Sequence, residues 1–242
     1  MIFARNSLMA LIIGTVTDNK PHRHYAIQLT IALEGDFFVN GNKVDTGFHL
    51  QPVLQSHQIS ATDDVVVLLV NPATSFGDWL THVTNDLKQC CLVIASLVKS
   101  GVKTKESANK ILLAVEQFTE QYIERYVATL APTRQEQRIN RALVILEENS
   151  QAITPAHDIA NRVGLSTSRF LHLFKQHTQI TYRRLQLWLK LMASIDKLLT
   201  ERSITDVAYC YGFSDSAHYS RTFKECFGFS PKVFKTMYIQ KN

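Results

Sequence analysis

Gly212-Phe-Ser-Asp-Ser-Ala-His-Tyr-Ser-Arg-Thr-Phe-Lys-Glu-Cys-Phe-Gly-Phe-Ser-Pro231 reads as a turn, a helix and a second turn. Gly212 suits a helix end that turns left-handed, and Ser214 stands where an N-cap belongs. Tyr219, Phe223 and Phe227 recur every four residues with Cys226 beside them, which makes one helix face apolar. Ser216, Ser220, Arg221 and Lys224 fill the other face with polar and cationic groups. Ser230-Pro231 opens a further helix, proline being tolerated at its first position. Upstream, Ser203-Ile-Thr-Asp206 begins a short helix carrying Ile204, Val207 and Ala208. Short helix, glycine turn and basic-faced helix form the layout of a helix-turn-helix.

The pattern occurs twice. Asp158-Ile-Ala160, Gly164 and Ser166 precede Asp206-Val-Ala208, Gly212 and Ser214 by 48 positions, and beyond the second helix Phe174-Lys175 and Thr181 precede Phe223-Lys224 and Ser230 by 49. A repeat at fixed spacing means one supersecondary unit used twice. Between the repeats, Tyr182 to Leu199 holds neither Gly nor Pro, and Leu185, Trp188, Leu189, Met192, Ile195 and Leu199 form a helical stripe. A helix of that length spans roughly 27 Å, near the ~34 Å between successive major-groove segments on one face of B-DNA.

On these residues, Arg138 to Met237 resembles the DNA-binding domain of the AraC/XylS family of bacterial transcription regulators. The resemblance implies two helix-turn-helix units joined by a long helix, following a cupin-like N-terminal sensor. It implies double-stranded promoter DNA, a small-molecule effector, RNA polymerase and a second copy of the chain as partners. It places Thr167, Ser168, Leu171 and His172 of the first unit, and Ser216, Ala217, Ser220 and Arg221 of the second, toward bases. Arg221 has the geometry for a bidentate contact to guanine, with a structural ion pair as its alternative role. Leu171 and Ala217 offer only apolar contact, as to a thymine methyl. Ser166, Lys175, Arg183, Arg184, Ser214 and Lys224 are assigned to phosphates, which position without specifying; for Arg183 and Arg184 plain solvation of a helix is the alternative. The first unit departs from the pattern at Gln179-Ile-Thr181, where the second keeps Gly228 and Ser230-Pro231, so a looser first turn is expected.

The charge divides the same way. The chain of 242 residues carries net charge +5. Residues 1–132 hold 10 Lys and Arg against 12 Asp and Glu, and residues 133–242 hold 16 against 9. One basic half points to nucleic-acid binding by that half. The hydrophobic fraction of 45% is that of a globular chain. No apolar run exceeds six residues, the length of Val65 to Val70, which is too short to span a bilayer. The apolar N-terminus reads as strands, since Thr15 and Asp18 follow where a small-residue cleavage site belongs. Of four cysteines only Cys90 and Cys91 are neighbours, which suits reduced thiols in a cytoplasmic protein better than a disulfide framework.

The first half is punctuated for strands. Ala26 to Leu33 and Asp36 to Val39 are rich in strand formers, Asn40-Gly is a hairpin signal, and Val65 to Val70 reads as a strand buried on both faces. Short strands with such turns argue for a sandwich or small barrel over about 1–75. His22-Arg-His24, Gln28, Gly35 and His57 resemble the ligand order of a cupin, with Gln28 where metal-binding members place Glu. Three readings stand: a metal-free effector pocket formed by His22, His24, Gln28 and His57, which is favoured; a metal held by His22, His24 and His57; and purely structural histidines. No cofactor is therefore expected. Leu87, Cys91, Ile94 and Val98, then Ile111, Val115, Phe118 and Tyr122, give helical stripes over 78–130. These two helices, joined at Gly101-Val-Lys-Thr104, either pack on the barrel or form a dimer interface. Residues 131–136 read as a polar, Pro-containing linker between a domain at 1–130 and one at 137–242.

The expectation is an α+β two-domain chain: a cupin-like barrel with a helical hairpin, then an all-α domain. Its function would be sequence-specific transcription regulation under small-molecule control. The alternative is a cupin-type metal-dependent enzyme fused to a DNA-binding module. No Ser-His-Asp or phosphate-loop pattern supports catalysis elsewhere in the chain.

Overall fold

A computed structural model describes residues 2–6, 9–16, 20–82, 86–101, 105–129, 132–148, 154–200 and 203–239. The expected helix connection at Val102 to Thr104, together with Asp18 and Ala131, lies outside the described residues.

The N-terminal half is built on an antiparallel sheet in the order β1 (Ile2–Arg5), β2 (Met9–Thr15), β8 (Asp64–Val70), β3 (Ile27–Ala32) and β6 (Phe48–Gln51). A second, three-stranded sheet runs β5 (Asn42–Lys43), β4 (Phe37–Val39) and β7 (Ile59–Ala61). The two sheets do not close on each other, so the expected barrel is corrected to an open pair of sheets. The hairpin signal is accurate: Asn40 and Gly41 both have positive φ, 52° and 80°, between β4 and β5, which is what a two-residue turn of this hand requires.

The central strand β8 shows why six consecutive apolar residues were needed. Val66, Leu68 and Val70 face a cluster with Cys90, Ile94 and Val115 from the helices behind the sheet. Val65, Val67 and Leu69 face Phe37 and Ile59 in the other direction. Helices α1 (Ser75–His82), α2 (Leu87–Gly101) and α3 (Lys105–Thr129) supply that backing. Leu87, Cys91, Ile94 and Val98 of α2 and Ile111 and Val115 of α3 are all buried there, so these stripes pack on the sheet. Burial raises the Cys90 thiol to about 12 and lifts Cys91 and Cys226 as well, leaving them unreactive.

The C-terminal half is helical: α4 (Arg134–Glu148), α5 (Ala156–Arg162), α6 (Thr167–Thr178), α7 (Tyr182–Thr200), α8 (Ile204–Cys210), α9 (Ser216–Phe227) and α10 (Pro231–Ile239). Helix α4 begins inside the stretch read as a linker. Thr133 and Glu136 form a reciprocal capping box there, the Thr133 amide donating to Glu136 Oε2 at 2.7 Å and the Glu136 amide to Thr133 Oγ1 at 3.3 Å. Helix α7 runs through the centre, burying Leu185, Trp188, Met192, Ile195 and Leu198. Ser194 donates to the Leu191 carbonyl and shares a 2.9 Å hydrogen bond with the Tyr219 hydroxyl, tying α7 to α9. The second face of the large sheet and the helical half share one continuous apolar core. Phe3 meets Phe234 edge-on at 4.8 Å between ring centroids, and Arg5 pairs with Asp196 at 2.6 Å.

Candidate nucleic-acid interface

Two helix pairs, α5–α6 and α8–α9, repeat the same construction. Each first helix ends at a left-handed glycine, Gly164 (φ 67°) or Gly212 (φ 69°). A basic side chain from the preceding long helix then closes each turn: Arg138 donates to the Gly164 carbonyl at 3.1 Å, and Lys190 to the Gly212 carbonyl at 2.8 Å. Lys190 also lies over the Phe213 ring. These contacts fix the angle at which each second helix leaves its turn.

The caps correct the register of the repeat. Ser166 caps α6, accepting from the Arg169 amide. In the second pair the cap is Asp215, which accepts from the His218 amide at 2.6 Å, and not Ser214. Ser214 instead hydrogen-bonds the Asp215 carboxylate and the His218 ring. The backbone hydrogen bond from the His218 amide holds the Asp215 carboxyl below the usual range. The extra residue of the second copy therefore sits in the turn before the cap, and α6 and α9 correspond at 49 positions throughout.

That register extends to both faces. Phe170 and Phe174 of α6, and Tyr219 and Phe223 of α9, are buried at matching positions. Outward, Thr167, Ser168, Leu171, His172 and Lys175 are exposed on α6. Their counterparts on α9 are Ser216, Ala217, Ser220, Arg221 and Lys224, of which Ala217, Arg221 and Lys224 are exposed and the two serines half-buried. The C-termini match too. Gln179 (φ 60°) and Gly228 (φ 81°) both adopt the left-handed cap and return their amides to Lys175 and Lys224. The first turn is thus closed like the second, with a non-glycine residue in the strained conformation. Thr181 and Ser230 cap the following helices through the Arg184 and Val233 amides.

The phosphate candidates separate. Lys175, Lys224, Arg183, Ser166 and Ser214 are exposed. Arg184 is half-buried, its guanidinium 4.3 Å from the centroid of the Tyr25 ring, and is committed to the junction between the halves. Tyr25 donates to Glu225 Oε2 at 2.6 Å across the same junction; Glu225 is an exposed acid in the basic-faced helix that sequence reasoning left without a role.

Against this junction stand the expected pocket residues. His22 and His57 are bridged through their backbones by two hydrogen bonds of 2.9 and 2.8 Å. His24, two positions along on the same face, joins them, and the ligating nitrogens of all three lie within 4.8 Å of one another. Gln28 Oε1 sits 2.7 Å from His24 Nε2 and 3.4 Å from His57 Nε2. His24, His57 and Gln28 are buried. Burial lowers all three imidazoles, His24 and His57 to about 4. The structure brings the four residues together as a closed cluster. A separate cleft of about 570 Å³ opens between the halves, lined in part by Asp78, His82, Tyr126, Glu136, Asn140 and His177.

Residues 159–237 match the helix-turn-helix domain family. The transcriptional activator RhaS of Escherichia fergusonii is 33% identical over 99 residues, 40% of this chain and 36% of that one. RhaS of an Enterobacter strain is likewise 33% identical over 99 residues, with the same shares of 40% and 36%. The chain thus spans about a third of the length of the curated relatives it matches. Among solved structures, an apo variant of ToxT from Vibrio cholerae has a TM-score of 0.56 at 14% identity, covering 96% of this chain and 98% of that one. ToxT from the same organism with a bound unsaturated fatty acid has a TM-score of 0.52 at 11% identity, covering 98% of each. The fold likeness therefore extends over both halves, while the family match lies in the helical one. Among the described residues no helix is long and apolar enough to cross a membrane.

Proposed function

We propose that this chain is a sequence-specific transcription regulator of the cytoplasm and not an enzyme, with a C-terminal domain of the AraC/XylS helix-turn-helix type. The observation that carries the reading is the shared register of α6 and α9. Five outward positions of one helix correspond to five of the other at a single spacing, and both helices are set by the same glycine turn and basic clamp. We take each pair as a helix-turn-helix unit whose second helix enters the major groove. The 19-residue α7 between them, roughly 28 Å long, suits two successive groove segments of one operator. His172 and Arg221, at matching positions, are the principal base readers.

The effector site we favour is the cleft between the halves rather than the histidine cluster, because the cleft has the volume of a small-molecule site. ToxT, which shares the fold, has been solved with an unsaturated fatty acid, so such acids are the first ligands to test. RNA polymerase as the downstream partner and a second copy of the chain follow from the same reading.

The test is selection of bound sequences from a randomised duplex library, followed by anisotropy titration of the winning site. Two conserved blocks about one helical turn apart, one lost in a His172→Ala variant and the other in Arg221→Ala, support the reading. Enrichment of no sequence, or a single block sensitive to both variants, defeats it.

A further inference from the structure

The cleft between the halves adjoins a second, smaller cavity of about 90 Å³, and the two share Asp78, His82 and His177 in their walls. Ile27, Leu50, Pro52, Val53 and Pro72 make the smaller chamber largely apolar. The larger chamber is lined by the acids Asp78 and Glu136, and among the described residues neither chamber is lined by Lys or Arg. The imidazoles of His82 and His177 are the basic groups that face it. Hydrogen bonds from Thr133 hold the Glu136 carboxyl below the usual range. Asp78 is fixed in place: the Tyr126 hydroxyl donates to its Oδ2 at 3.2 Å, and His82 Nδ1 lies 3.3 Å from its Oδ1. The Tyr126 and His82 rings stack beside it with centroids 6.2 Å apart. The helix ends carry the same sign. Helix α1 finishes at His82 and α6 at Thr178, so two carbonyl ends, each partially negative, meet where the chambers adjoin. The N-terminus of α4 also opens on the cleft and would favour an anion, but the Glu136 carboxylate already occupies it through the capping box with Thr133.

We propose that this two-chambered cleft binds an organic cation, a protonated amine carrying one compact apolar group, with the ammonium beside Asp78 and Glu136 and the apolar group directed toward the smaller chamber. Two carboxylates without an opposing Lys or Arg attract a cation and repel an acid of the same size. The Tyr126 ring adds to that preference, because an aromatic face attracts an ammonium held over it. Leu50, Val53 and Pro72 offer the apolar group a surface on which a charged end would lose its hydration without compensation. The route to the reading helices is Gln179. This left-handed cap of α6 lines the smaller chamber, so an occupant there lies against the end of α6. That the ligand controls DNA binding rests on the regulator reading; the class of ligand the cleft takes does not.

Full-length protein without DNA is titrated by calorimetry, at one mildly alkaline pH and one salt concentration, with three probes on one scaffold: phenethylamine, phenethyl alcohol and hydrocinnamate. The amine should bind about tenfold or more tighter than the acid, with the alcohol between them. Methylamine, which lacks the apolar group, should bind more weakly than phenethylamine. Asp78→Asn and Glu136→Gln each remove one charge and keep an acceptor, for the Tyr126 hydroxyl and the Thr133 amide respectively. Each should cut the amine's advantage over the acid by about threefold or more, with an unchanged circular dichroism spectrum. An acid that binds as tightly as the amine overturns the ligand class and leaves the cleft standing as an effector site. Failure of all three probes to bind overturns the site. So does an amine preference that survives both variants unchanged, which would place the amine elsewhere on the protein. Phenethylamine that binds as expected but leaves affinity for the selected operator unchanged supports the ligand class and defeats the effector reading of the cleft alone.

Discussion

Replacing Arg221 with alanine separates reading from positioning. Arg221 is exposed on α9 and makes no hydrogen bond or ion pair among the described residues, although its charge reaches the Asp215 carboxylate. Truncation therefore removes nothing the fold uses, and stability should stay within about 0.5 kcal/mol of the parent. In the complex, a bidentate arginine–guanine contact discriminates against the wrong base by about 1–3 kcal/mol. With tenfold per 1.4 kcal/mol, affinity for the preferred site should fall about 5- to 150-fold. The assay is anisotropy against the preferred duplex and its three single-base variants at each position, at one fixed salt concentration. A base contact requires the loss on the preferred site to vanish on variants of one base pair, leaving the other positions as selective as before. Equal weakening on every duplex would make Arg221 a phosphate contact. A fall in melting temperature of more than a degree or two would show that it holds the fold through Asp215.

Four further outcomes follow from the same geometry. Lys224→Ala should weaken all duplexes alike and lower the slope of log affinity against log salt by about one; an unchanged slope removes Lys224 from the phosphate contacts. Gln179→Gly should raise stability by about 0.5–1 kcal/mol, because glycine relieves the left-handed cap more than its added freedom costs; a lower melting temperature would refute that. Tyr25→Phe should cost about 1–2 kcal/mol by removing a hydrogen bond to a carboxylate, and Glu225→Gln should cost less, keeping an acceptor; urea unfolding monitored in both halves decides it. Asp215→Ala should destabilise α9 where Ser214→Ala barely does. The Asp215 carboxyl is held below its unfolded value, so its contribution is full above the unfolded value and lost as pH falls through the folded one. Acid titration of Asp215→Asn should lack that component.

The helical half was legible because its signals are local. Glycines at the turns, serine and proline at helix starts, and apolar residues every three or four positions each act within one turn of chain. The repeat then tested each against its copy. The misreadings were local too: Ser214 reads as the cap, yet Asp215 one residue on is as good a cap, and backbone geometry alone decides between them. The box at Thr133 and Glu136 was visible in Thr-Arg-Gln-Glu but was masked by Pro132 beside it. The open sheets were not legible, since closure depends on how far strands twist and whether edges meet, and strand composition is silent on both. Nor was the junction: Tyr25 with Glu225, Arg184 over Tyr25 and His22 against Gly228 join residues 159 to 206 positions apart, and no periodicity encodes them.

Where that junction falls matters for control. The contacts from the N-terminal half that involve named side chains, Arg5 to Asp196, Phe3 to Phe234, Tyr25 to Glu225 and His22 to Gly228, all land on α7, α9 and α10. The cleft, by contrast, opens toward α4 and α6, with Glu136, Leu173 and His177 in its wall. The N-terminal half therefore holds the side of the helical half that carries α9 and α10 and leaves a gap beside α4 and α6. Reading two groove segments at once, as proposed, requires both units to be set relative to one another, and α7 packs against α6, α8 and α9 between them. On the proposed function, a ligand that fills the cleft would act on the α5–α6 pair while the α8–α9 pair is held, changing their relative setting without disturbing either turn. Control of this kind needs no movement inside a helix-turn-helix. The gripping residues belong to the backs and ends of the helices and leave Arg221 and Lys224 exposed.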